Sequence, residues 1–73
     1  MLSMATKLAG EIGAKMQAAR QRKNLTQAEV AKHAGTNTNY YAKLERSEAV
    51  PSLKMLEKVV KALGIKSSDV LPF

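Results

Sequence analysis

The stretch "LTQAEVAKHAGTN", Leu25 to Asn37, holds two helix starts and one helix stop. Thr26 with Glu29 three positions on has the pattern of a capping box, in which hydroxyl and carboxylate each serve a backbone N–H that the first turn leaves unpaired. Leu25 and Val30 flank the box as a hydrophobic staple. A helix starting at Thr26 runs through Val30, Ala31 and Ala34 and stops at Gly35, after about two to three turns. Asn37 is a good N-cap for the next helix, Thr38 to Arg46, in which Tyr41, Leu44 and Glu45 recur at helical spacing. Helices this short are unstable alone in water. Two of them joined by a tight Gly-containing turn form a helix-turn-helix, which the rest of the chain must support.

That support is legible on both sides. From Thr6 to Lys23 the apolar residues Leu8, Ile12, Met16 and Ala19 fall on one helical face. Asn24 suits a left-handed terminator, and Leu25 the hydrophobic contact that follows one. After a loop at Ser47 to Val50, Pro51 precedes Ser52, which caps a helix with Leu53, Leu56, Val59, Val60 and Leu63 as its apolar positions. Gly64 ends it. Ser67 or Ser68 caps a last single turn with Val70 and Leu71, stopped by Pro72, with Phe73 trailing. The pattern predicts an all-α, compact five-helix bundle with the helix-turn-helix as helices 2 and 3. Residues 1–73 form a single domain.

Composition narrows the function. Seventy-three residues leave no room for a second domain or a deep pocket, which disfavours an enzyme. The absence of Cys rules out disulfides and thiolate metal sites and suits a reducing cytoplasm. His33 is the sole His and has no metal-ligand spacing around it, and the carboxylates are scattered without an acid and base couple. Gly10 and Gly13 lie inside a helical pattern, so they are not a phosphate loop. No catalytic residue, metal, cofactor or small-molecule ligand is therefore expected. The N-terminal apolar run is interrupted by Lys7 and Glu11, too early for a signal peptide or membrane span. Twelve Lys plus Arg against six Asp plus Glu give a net charge of +6. Such a surface suits a polyanion such as nucleic acid and equally suits simple solubility.

The helical period divides the third helix. Asn39, Lys43 and Arg46 share a polar, donor-rich face, opposite Tyr41, Leu44 and Glu45. Thr38 and Asn39, in the first turn, stand where short polar side chains of a recognition helix reach base edges in a major groove. Lys43 has the length for a guanine edge or a phosphate, and Arg46 is placed for the backbone. Thr26 and Gln27, at the start of the second helix, suit a phosphate clamp. A solvated helix face accounts for the same polar stripe, and only its setting in a tight helix pair of a basic chain favours the nucleic-acid reading. Adjacent residues cannot share a face, so Tyr41 is expected inward and Tyr40 outward beside Asn39 and Lys43, its ring available to a thymine methyl or sugar.

The stretch "TQAEVAKHAGTNTNYYAKLERSEAVPSLKMLEKVVKALGIKSSDVL", preceded by "IGAKMQAARQRKNL", resembles the Xre/Cro/phage repressor-type helix-turn-helix domain over roughly Ile12 to Leu71. The resemblance implies a five-helix repressor-like fold that binds operator DNA as a homodimer. It implies that Gln27 touches the DNA backbone and braces the recognition helix, and that Asn37, Thr38, Asn39, Tyr40 and Lys43 face the groove, with Arg46 on the backbone. It also implies a structural pairing of Arg20 with Glu45. "NTNYYAKLER" is similar to controller proteins of restriction-modification systems, which often carry a Tyr where Tyr40 stands. Two departures stand out. Ser47 occupies a position where the family often has Gly, so a left-handed residue there is strained, and Thr36 stands in place of an aliphatic residue. The expected function is a sequence-specific transcriptional regulator, a homodimer reading a palindromic operator in double-stranded DNA. An antitoxin or protein-interaction module on the same fold is the alternative. Candidates for a dimer surface are the end of the fourth helix, Ile65, Val70, Leu71 and Phe73, joined by Met1 and Leu2; closing the monomer's core is the alternative role for the same residues.

Overall fold

The computed structural model of the chain describes residues 4–66, with side chains from residue 10 onward. Four α-helices follow one another: α1 (Met4–Arg22), α2 (Gln27–His33), α3 (Thr38–Glu45) and α4 (Leu53–Leu63), with no strand among the described residues. Among the described residues there are four helices, not the five expected. The fifth, a single turn at Val70 and Leu71, lies outside the described residues. Val70, Leu71, Phe73, Met1 and Leu2, named for a dimer surface, also lie outside the described residues.

Three helix starts are set by short polar side chains. Thr26 Oγ1 accepts from the Glu29 amide at 3.1 Å while Glu29 Oε1 accepts from the Thr26 amide at 2.9 Å, completing the capping box. Asn37 Oδ1 accepts from the Tyr40 amide at 2.7 Å, and Ser52 Oγ from the Met55 amide at 3.1 Å. Thr26 is thus the cap and Gln27 the first residue of α2.

All four helix ends use one device. A left-handed residue follows the last turn at Asn24 (φ 57°), Gly35 (φ 74°), Ser47 (φ 64°) and Gly64 (φ 67°). At each, its N–H and that of the next residue turn back onto carbonyls of the final turn, as in Gly35 to Lys32 (3.1 Å) and Thr36 to Ala31 (2.9 Å). Ser47 follows the same pattern, with its amide on Leu44 and that of Glu48 on Lys43. The strain expected of a side chain at this position is therefore present. This turn ends α3 at Glu45, one residue earlier than expected, and makes Arg46 its C-cap.

The core joins these elements. Ile12, Met16 and Ala19 of α1 meet Val30, Ala31 and Ala34, then Tyr41 and Leu44 of α3, then Leu56, Val59, Val60 and Leu63 of α4. Met16, Val30, Tyr41 and Val59 are fully buried. α3 packs against α1 and α2, and α2 also against α4, so each short helix gains from tertiary burial the stability it lacks alone. Gly13 is what lets α1 approach so closely. A Cβ built there would lie 2.6 Å from the Leu44 carbonyl oxygen and 2.7 Å from that of Glu45.

Candidate nucleic-acid interface

α3 is held between two neighbours, and what they leave uncovered defines the candidate site. Tyr41, Ala42, Leu44 and Glu45 are buried, while Thr38, Asn39, Lys43 and the cap Arg46 are exposed. The expected polar stripe is therefore present and accessible. Asn37 is exposed too, but its carbonyl oxygen is committed to the Tyr40 amide, which leaves its side-chain amide as the group free to face a groove.

The far end of α3 is fixed by a charged cluster. Arg20 Nε donates to Glu45 Oε2 at 2.7 Å and a second guanidinium nitrogen to Oε1 at 3.2 Å, a bidentate pair whose side chains are 13% and 2% exposed. A third guanidinium nitrogen donates to the Leu25 carbonyl at 2.9 Å. Gln27 Nε2 donates to Glu45 Oε1 at 3.1 Å. One carboxylate thus ties together the end of α1, the start of α2 and the end of α3. Burial pushes the Glu45 carboxyl up, but the Arg20 guanidinium, with the Gln27 amide, outweighs it and holds the group below its ordinary value. The Arg20–Glu45 pairing implied by the resemblance is present, and half-buried Gln27 bonds to the same carboxylate at the end of α3.

Of the two tyrosines, Tyr41 lies as expected and Tyr40 differs in part. Tyr41 is inward, and its hydroxyl is buried without a hydrogen bond, beside Glu45 and Arg20. Burial, then the adjacent carboxylate, push its ionisation far up, so it stays a neutral phenol. Tyr40 is half-buried and packs against the core rather than standing free beside Asn39. An aromatic ring at the edge of a helix face lies along the neighbouring apolar surface, which removes area from water.

Arg46 carries an interaction that spacing did not suggest. Its guanidinium donates to Glu48 Oε2 at 3.0 Å, with both side chains about half exposed. Residues two apart do not meet on a helix, and it is the reversal at Ser47 that brings them together. Thr26 is exposed at the start of α2, and His33, exposed on the same helix, stands outside any metal-binding group among the described residues. No helix of the described residues is long and apolar enough to cross a membrane.

Comparison with known proteins agrees with this architecture. Residues 16–71 match the helix-turn-helix family. The chain is 38% identical over 60 residues to the immunity repressor protein of Bacillus phage phi105, covering 82% of this chain and 42% of that protein. It spans about two fifths of the length of the curated relatives it matches. The restriction-modification controller protein C.AhdI from Aeromonas hydrophila superposes with a TM-score of 0.83 at 25% identity, covering 86% of this chain and 96% of that one. The P22 c2 repressor, solved in complex with a synthetic operator, gives a TM-score of 0.77 at 28% identity over 84% of this chain and 92% of its own. With the capped helix pair, its bracing carboxylate and this breadth of match together, the chain belongs to the Xre-like helix-turn-helix family of DNA-binding repressors and controller proteins.

Proposed function

We propose that this chain is a sequence-specific transcriptional regulator that binds a palindromic operator as a homodimer in the cytoplasm. The observation that carries the reading is the exposed Thr38, Asn39 and Lys43 stripe on a helix whose far end is locked to its neighbours through Glu45. A recognition helix must be rigid before base contacts can discriminate, because each bidentate contact separates right from wrong base by only about 1–3 kcal/mol. In this reading Thr38, Asn39 and Lys43 read base edges, with the Asn37 amide beside them. Thr26, Gln27 and Arg46 engage phosphates, and Gln27 has a second amide hydrogen for this while it braces Glu45. Tyr40 supplies its exposed edge to a sugar or thymine methyl.

The test is selection of bound duplexes from a random pool, with sequencing of the retained fraction and sedimentation of the free protein at micromolar concentration. The reading expects an enriched palindrome whose half-sites lie about 34 Å apart and binding that weakens steeply with salt. A purely monomeric species at all concentrations and on DNA removes the dimer. No enriched sequence together with a flat salt response supports the alternative, an antitoxin or protein-interaction module.

A further inference from the structure

An ion pair, Arg46 with Glu48, closes the end of α3, and the backbone sets its carboxylate there. Glu48 does not sit on a loose loop. Its amide donates to the Lys43 carbonyl at 2.9 Å across the left-handed Ser47, which anchors its backbone to the last turn of α3. From there its carboxylate accepts from the Arg46 guanidinium at 3.0 Å. The hydrogen bond and charge of Arg46, with a further pull from Lys43, hold the Glu48 carboxyl below its ordinary value. The Arg46 guanidinium is therefore engaged by this carboxylate, and Lys43, whose carbonyl holds the Glu48 amide, stands in the same turn. An exposed pair, 55% and 53% open, contributes little to folding. Its effect on a polyanion is larger, because a guanidinium engaged by a carboxylate is not neutralising a phosphate, and a carboxylate near a phosphate repels it.

We propose that Glu48 is a specificity-determining residue that restrains sequence-independent DNA binding by competing with phosphate for Arg46 and opposing the approach of Lys43. The inference rests on the DNA-binding reading above. The restraint keeps the +6 charge of the chain from being spent on any duplex it meets, leaving the short side chains of the first turn to decide where it stays.

The experiment titrates the full chain, wild type and Glu48→Gln, against a random-sequence duplex from low to moderate salt, with Arg46→Ala and the double variant completing a cycle. The amide keeps the side chain's shape and removes its charge, and circular dichroism checks that all four remain helical. Glu48→Gln is expected to bind the random duplex roughly three- to tenfold more tightly at low salt. The slope of log affinity against log salt should steepen by about one, the amount for one more phosphate contact, and most of the gain should vanish in the Arg46→Ala background. Unchanged or weaker binding by Glu48→Gln, where the wild type binds, overturns this inference alone and makes Glu48 neutral or an orienting partner of Arg46. Absence of wild-type binding to random duplexes and to any selected site overturns the DNA-binding reading and this inference with it.

Discussion

Gly10 and Gly13 lie one turn apart in α1, and replacing each by Ala is expected to change stability in opposite directions. Helix propensity favours Ala over Gly by about 0.8–1.0 kcal/mol at an interior position, equally for both. The surroundings differ. At Gly10 the nearest atom to an added Cβ is Ser47 Oγ at 3.8 Å, an ordinary contact. At Gly13 the added carbon falls 2.6 Å and 2.7 Å from two backbone carbonyl oxygens, those of Leu44 and Glu45. These cannot swing away like a side chain, and Glu45 is also held by Arg20 and Gln27. The alternative is for α1 to move off α3, loosening Met16 and Ile12 from the core. Overpacking typically costs about 1–3 kcal/mol, and rigid obstacles put this case at the upper end, so Gly13→Ala should lose about 2 kcal/mol net. Gly10→Ala should gain up to about 1 kcal/mol. Urea unfolding followed by helical circular dichroism measures both, and in a domain of this size the Gly13 variant's Tm should fall by roughly 10 °C. If Gly13→Ala proves as stable as the wild type or as Gly10→Ala, the close approach of α1 to the end of α3 is not the constraint described.

Three further perturbations separate folding from recognition. Glu45→Gln leaves Arg20 without its anion and should cost about 3 kcal/mol in urea unfolding at neutral pH; because the folded-state Glu45 carboxyl lies below its ordinary 4.5, that contribution is fully present above about pH 4.5 and lost as pH falls through the lower folded value, so wild type and variant should converge only in acid. Asn37→Asp keeps the cap on the Tyr40 amide and adds a favourable charge at a helix start, so stability should hold or rise by about 0.3–1 kcal/mol while operator binding weakens, and equal losses in both assays would contradict the division of its two groups. Asn39→Ala and Lys43→Ala should each cost roughly 1–3 kcal/mol on the selected site and relax its sequence, whereas Arg46→Ala should weaken all duplexes alike, as competition binding to selected and random DNA would show.

Most of the fold was legible because its punctuation is local. Thr26, Asn37 and Ser52 each satisfy an amide three residues on, and Asn24, Gly35 and Gly64 each turn the chain where a helix must end. Such interactions are decided within one turn of backbone, so residue type and spacing suffice to read them. Ser47 was harder, since a Ser in the left-handed region is not signalled by its own chemistry, and with it went the end of α3 and the meeting of Arg46 with Glu48. The exposed face of Asn39 and Lys43 follows from the 3.6-residue period alone.

What spacing could not decide is where the faces of different helices meet. Arg20 and Glu45 are 25 residues apart and Gln27 and Glu45 are 18 apart, and only the packing of α1 and α2 against α3 gives that carboxylate its donors. Gly13 reads in sequence only as a glycine inside a helical pattern, and becomes in three dimensions the contact through which α1 reaches the carbonyls of α3. Tyr40, at the edge of its helix, turns toward whichever neighbour offers apolar surface. The amino-acid sequence alone therefore determined the helices, their ends and the polar stripe, because these depend on neighbours along the chain. The bracing of α3 beneath that stripe was decided by tertiary structure, because burying a charge is tolerable only where distant residues converge to satisfy it.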